Sequence, residues 1–94
     1  MMGQFLENEV ITLEEQLEDI ENTFKLIVFD DNSISFDTVI SAFCEILHYD
    51  SIRSEQLAWN IHNTGKAIVK TDLYNKLVPF YEKLTQRELT CEIQ

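Results

Sequence analysis

The chain carries only two glycines, one proline, two cysteines and seven basic residues among its 94 positions. Each shortage excludes something. Seven Lys and Arg against seventeen Asp and Glu leave a formal charge of -10 at pH 7, with a pI near 4.4. Nucleic acid is an unsuitable partner, because its affinity rests on cationic groups that neutralise phosphates. An anionic membrane surface is disfavoured for the same reason, and a cationic ligand, such as a free amino terminus or a basic partner, is favoured. Cys44 and Cys91 are too few and too far apart for a disulfide framework or a metal cluster. Both fall inside apolar patterns and read as buried thiols. No apolar run approaches the ~20 residues that span a bilayer. The opening stretch MMGQFLENEV lacks a basic region followed by an apolar core, so it is no secretory signal, and the expected location is the cytoplasm. There is no internal repeat and no low-complexity linker.

What is present suffices for one small domain. The chain is 45% hydrophobic and 11% aromatic, and a domain of this size buries about 65% of its unfolded surface. Residues 1–23 stand apart as an acidic N-terminal extension that holds Glu7, Glu9, Glu14, Glu15, Glu18, Asp19 and Glu21, whereas the first basic residue is Lys25. Thr12 with Glu15 could form a capping box for a short helix carrying Leu13, Leu17 and Ile20. Such a segment is either a solvated tail or an arm that docks on a partner.

Residues 24–94 form the core domain. "FKLIVF" (Phe24 to Phe29) is a β-rich run closed by the turn formers "DDNS". Ser35 reads as an N-cap, with Asp37 where the helix dipole favours an anion. Phe36, Val39, Ile40, Phe43 and Leu47 recur at helical spacing and define one buried face. "HYDS" breaks that helix, and Asp50 or Ser51 caps the next, whose inward residues are Leu57, Ala58 and Ile61. Gly65 fits the left-handed position that ends helices. "KAIV" is a short strand, Thr71 or Asp72 caps a third helix with Leu73, Leu77, Tyr81 and Leu84 on one side, and Pro79 predicts a kink or break there. "LTCEI" (Leu89 to Ile93) is the last strand. The order β-α-α-β-α-β predicts an α+β sandwich, a three-stranded sheet packed against helices.

Within "QLAWNIHNTGKAIVK" (Gln56 to Lys70), His62 stands near the end of an apolar helical stretch. It reads either as a core histidine with one satisfied nitrogen or as a functional group. Cys44 with His62 and an acid could suggest a thiol hydrolase, but no nucleophile motif surrounds the cysteine. His48 and His62 could suggest a metal site, yet no Cys/His pair has ligand spacing. No metal and no cofactor is implied, and an enzyme is not expected.

"KLIVFDDNSISFDTVI" and "QLAWNIHNTGKAIV", taken together, resemble the ClpS adaptors of the Clp proteases. The family signature is a strand ending in Asn-Asp-Asp, a turn and a helix, followed later by Gln-Leu…Val-His-x-x-Gly-Lys-Ala. The likeness runs without a gap from Lys25 to about Val69 and resumes at "LTCEI". It implies a ClpS-like fold. It also implies an adaptor that binds proteins by a large hydrophobic amino-terminal residue (an N-degron) and passes them to a ClpA/ClpC-type AAA+ unfoldase, which feeds ClpP.

In the family the histidine, the asparagine and the first aspartate of the strand-end motif surround the free α-ammonium. An ammonium has three donors and no acceptor, so such a pocket must present acceptors. By position these residues are His62 and Asp31, with Asp30 where the family has asparagine. The two methionine positions of the family's side-chain pocket fall on Phe36 and Ala58, and Val39, Ile61 and Leu89 complete the apolar wall. Phe36 and Ala58 equally suit ordinary core positions. Ionised Asp30 can accept but not donate, which removes the donor that asparagine offers to the first peptide carbonyl. That departure keeps open an alternative, a ClpS-like regulator of the unfoldase that does not bind N-degrons.

Overall fold

The computed structural model describes residues 22–94. All of the acidic extension expected over 1–23 except Asn22 and Thr23 lies outside the described residues, including the short helix expected around Leu13, Leu17 and Ile20. The chain runs β1 (Thr23–Phe29), α1 (Phe36–Ile46), α2 (Ser51–Thr64), β2 (Lys66–Leu73), α3 (Tyr74–Gln86) and β3 (Cys91–Ile93). This is the expected β-α-α-β-α-β order in an α+β fold. The sheet order is β2-β1-β3 with both pairs antiparallel, so the most apolar strand, β1, is central.

Local chemistry sets most boundaries. The Ser35 hydroxyl accepts from the Thr38 amide at 3.1 Å and starts α1, with Asp37 in its first turn. At the other end His48 takes a left-handed φ of 60°, which stops the helix within the breaker "HYDS". Of the two candidates for the next cap, Asp50 is the one used: its carboxylate accepts from the Arg53 amide at 2.7 Å. Helix α2 closes on Gly65, at φ 92°.

Leu26 and Val28 alternate toward one face of β1, and residues from all three helices cluster around them. Phe43, Leu77 and Leu84 are fully buried in that cluster, with Ile61 and Val69 beside them. Each such side chain contributes about 1.5–3 kcal/mol over an exposed one. The register of β1 against β2 shifts between Leu26, opposite Lys70, and Ile27, opposite Ile68. Val69 is therefore the extra residue of a bulge. Its carbonyl accepts from the Tyr49 hydroxyl at 2.5 Å, which ties the α1–α2 connection to the sheet.

Four expectations need correction. Strand β2 extends past "KAIV" to Leu73, because Thr71, Asp72 and Leu73 continue the ladder opposite Lys25, Phe24 and Thr23. Neither Thr71 nor Asp72 therefore caps α3: Leu73 is the N-cap without a side-chain bond, and Asp72 accepts from the Leu73 amide instead. Pro79 does not break α3, which is one helix from Tyr74 to Gln86; the buried Leu77 and Leu84 anchor it on both sides of the missing donor. Leu89 and Thr90 precede β3 and do not belong to it. The Leu89 amide donates to the Leu84 carbonyl and the Glu88 amide to Thr85, a Schellman-type end with Glu88 at φ 69°. Of the two thiols, Cys91 is buried, and burial pushes it up to about 11. Cys44 is only partly buried, beside Ser54 at 3.3 Å.

Candidate functional site

The turn after Gly65 brings the site together. The Gly65 amide donates to the Ile61 carbonyl at 2.8 Å, which closes α2, and its carbonyl accepts from the Asp30 amide at 2.9 Å. The end of β1 is thereby pinned to the end of α2, one helical turn after His62. The same strand end is held on its other side, where the Phe29 amide donates to the Thr90 carbonyl at 2.8 Å. Three segments distant in sequence meet there.

Asp31 organises the "DDNS" turn. One carboxylate oxygen accepts from the Ser33 amide at 2.9 Å and from the Ser33 hydroxyl at 2.7 Å. The other oxygen is 3.4 Å from the Thr90 hydroxyl. The Ser33 hydroxyl, then the Ser33 amide, hold the Asp31 carboxyl below its ordinary value; slight desolvation opposes them, and Thr90 adds to the lowering. These bonds favour the anionic form. Asp30, beside it, is exposed.

These groups rim a cavity of about 310 Å³. Asp30, Asp31, His62, Phe36, Val39, Ala58, Ile61 and Leu89, the eight residues singled out in the sequence, all line it. Ala58, Ile61 and Leu89 are buried in its wall, whereas Phe36 and Val39 are partly exposed to it. Phe36 and Val39, which periodicity puts on a buried face and the resemblance puts in the pocket, border this hollow where it opens at the first turns of α1. His62 is exposed and is no core histidine. Cys44 does not line the cavity, so no thiol stands with His62 there.

Trp59 is the lining residue that periodicity missed. It is off the apolar face of α2 and 48% exposed, yet its ring lies 4.7 Å from Phe36 and 6.0 Å, edge-on, from His62. The i, i+3 spacing from Trp59 to His62 was the available signal. Ile34 and Asn32 also reach the rim. Chemically, two carboxylates and an imidazole beside an apolar hollow can accept hydrogen bonds from a cationic donor that carries an apolar group. Among the described residues, no group of three or more His, Cys, Asp or Glu is placed to hold a metal ion, and no helix is long and apolar enough to cross a membrane.

The family model described as "ATP-dependent Clp protease adaptor protein ClpS" matches residues 19–92. No curated protein matches the chain. Among solved structures, "The structure of Agrobacterium tumefaciens ClpS2 bound to L-phenylalaninamide" is similar with a TM-score of 0.68, covering 78% of this chain and 98% of that one at 14% identity. At that identity the likeness speaks for the fold. The family match, by contrast, runs from before β1 into the last strand, and by it the chain belongs to the ClpS family, the adaptor proteins of the ATP-dependent Clp protease.

Proposed function

We propose that the cavity binds the amino-terminal residue of substrate proteins, and that the chain delivers them to a ClpA/ClpC-type AAA+ unfoldase for degradation by ClpP in the cytoplasm. The observation that carries this reading is the convergence of Asp30, Asp31 and His62 on the rim of a single apolar cavity. A free α-ammonium brings three donors, and each charge-assisted bond to a carboxylate is stronger than a neutral one. The first side chain enters between Phe36, Val39, Ala58, Ile61 and Leu89. Phenylalaninamide, the ligand of the Agrobacterium protein, has this chemistry: a free α-amine next to a large apolar group. The site needs no catalytic group or cofactor, because its task is recognition.

A peptide-binding titration tests the proposal. Peptides that start with Leu or Phe should bind, and the same peptides acetylated at the amine should not, since acetylation removes the charge and two donors. A specific observation favours a second reading, a ClpS-like regulator of the unfoldase that leaves N-degrons alone: Asp30 stands where the family has asparagine and cannot donate to the peptide carbonyl when ionised. Equal, weak binding of free and acetylated peptides would favour that regulator.

A further inference from the structure

Four of the seven basic residues in the chain gather on one strip of the surface. Lys76, Phe80, Lys83 and Arg87 follow each other at i, i+4, i+7 and i+11 along α3 and its C-cap, so they share one stripe. The ammonium of Lys70, from the bulged part of β2, lies 5.1 Å from the centre of the Phe80 ring and joins the stripe from the sheet. Lys76 and Lys83 are exposed. Among the described residues, Arg87 alone of these cations has a carboxylate partner, Glu45 of α1. Near its end the stripe borders an open hollow formed by Ile46, Lys83, Gln86 and Arg87. Ile46 is its one apolar lining residue, beside the cations Lys83 and Arg87.

The complementary segment is in the same chain. Residues 7–21 hold seven carboxylates and no base, interleaved with Leu13, Leu17 and Ile20. This segment joins the fold at the correct end. Thr23 pairs with Leu73, the residue before α3, and Phe24 packs edge-on against Tyr74, the first residue of α3, at 5.4 Å between ring centres. From Lys76 to Arg87 the stripe is about 16 Å long at the helical rise of ~1.5 Å per residue. Residues 7–21 span that distance whether helical or extended. We propose that the basic stripe Lys76–Phe80–Lys83–Arg87, with Lys70, docks the chain's own acidic segment, residues 7–21. The carboxylates of Glu14, Glu15, Glu18 and Asp19 meet the cations, and an apolar residue of the segment covers Phe80 or fills the hollow beside Ile46. The docked segment leaves the cavity rimmed by Asp30, Asp31 and His62 open, and the proposal does not depend on what that cavity binds.

Hydrogen exchange of the full chain, followed by mass spectrometry, tests it. Surface ion pairs are screened as the Debye length shrinks, so the comparison runs between about 0.02 M and about 0.5 M salt. At low salt the amides of residues 7–21 should exchange several-fold more slowly than at high salt, and more slowly than in Lys76→Glu/Lys83→Glu. Adding Glu14→Lys/Glu18→Lys to that variant should restore part of the protection. Unchanged amides in β1 verify that the variants are folded. Should the charge reversal unfold the domain, Lys76→Gln/Lys83→Gln together with the wild-type salt series decides. Exchange of residues 7–21 that ignores both salt and these substitutions overturns the proposal. Protection that rises with protein concentration also overturns it, because the stripe would then take the segment of a second copy.

Discussion

Replacing Gly65 by alanine should separate the two tasks of that position. Its φ of 92° is a conformation in which an L side chain is strained, and a Cβ added there meets no other atom within 4 Å. The penalty is therefore conformational, with no clash. Holding a non-glycine residue left-handed costs about 1–2 kcal/mol, and the smaller unfolded-state entropy of alanine returns about 0.4–1 kcal/mol of it. The net loss should be about 1 kcal/mol, which lowers Tm by roughly 4–8 °C in a domain of this size. The functional effect should be larger than that suggests. Both polar atoms of Gly65 are committed, its amide to Ile61 and its carbonyl to the Asp30 amide. Any relaxation of φ toward negative values moves Asp30 relative to His62, and the proposed amine site loosens. Gly65→Asn should recover most of both losses, since asparagine tolerates the left-handed region. Urea or thermal unfolding gives the stability, and titration with a Leu-started peptide gives the affinity. A loss above about 3 kcal/mol would imply a clash where the structure has open space. An asparagine variant as impaired as the alanine one would refute the conformational argument.

Four further outcomes follow from the same geometry. Asp31→Ala should weaken binding of a Leu- or Phe-started peptide by roughly tenfold or more with little loss of helix, because a charge-assisted acceptor is removed; unchanged affinity by fluorescence anisotropy would take Asp31 out of the site. Since Ser33 lowers the Asp31 carboxyl below its ordinary 3.8, its stabilising effect is fully present above that pH and is lost as pH falls through the lowered value, so in acid urea titrations the gap between wild type and Asp31→Asn should close. Ala58→Met should add bulk to the cavity wall and reject Ile and Val while keeping Leu, whereas the wild type should take Leu, accept Ile and Val to some extent, and bind Trp poorly behind Phe36; steric changes of this size are worth about 1–3 kcal/mol in an apolar pocket, and a peptide panel varied only at its first residue measures them. Tyr49→Phe removes the donor to the Val69 carbonyl and should cost about 1 kcal/mol by urea unfolding.

How much of this was legible depended on the range of the interactions involved. The Ser35 and Asp50 side chains and the Gly65 amide end their helices on groups within a few residues of themselves, so sequence alone locates those helix ends. The start of α3 is not legible locally, because Thr71 and Asp72 look like caps while the strand they continue is paired with β1, some fifty residues earlier in the chain. The Val69 bulge is a property of that same long-range register and leaves no local signature. Cavity residues were found through the motif, since Phe36, Val39, Ala58 and Ile61 have the same periodicity as plain core. Only the folded chain distinguishes them, by leaving space at the first turns of α1. Trp59 gives no periodic signal because it falls off the apolar face, at the rim of the cavity.

The cavity is built on the same hydrogen bonds that join the sheet to the helices, and this constrains how it can work. Asp30 is fixed through the Gly65 carbonyl, Phe29 through the Thr90 carbonyl, and Asp31 through Ser33 with Thr90 at its far oxygen. The Asp31 carboxylate and the backbone at Asp30 are thus held before any ligand arrives, so that part of the site needs little ordering on binding. Preorganisation of this kind raises affinity by reducing the entropy lost on association. The same connections work in reverse. A ligand that engages Asp30, Asp31 and His62 together clasps the ends of β1 and α2, and because the unfolded chain has no such arrangement, binding must stabilise the fold by mass action. On the proposed reading, recognition and stability in this domain depend on one seam. On that reading, a substitution outside the cavity that loosens the Phe29–Thr90 or Asp30–Gly65 contact should weaken recognition with every lining residue unsubstituted.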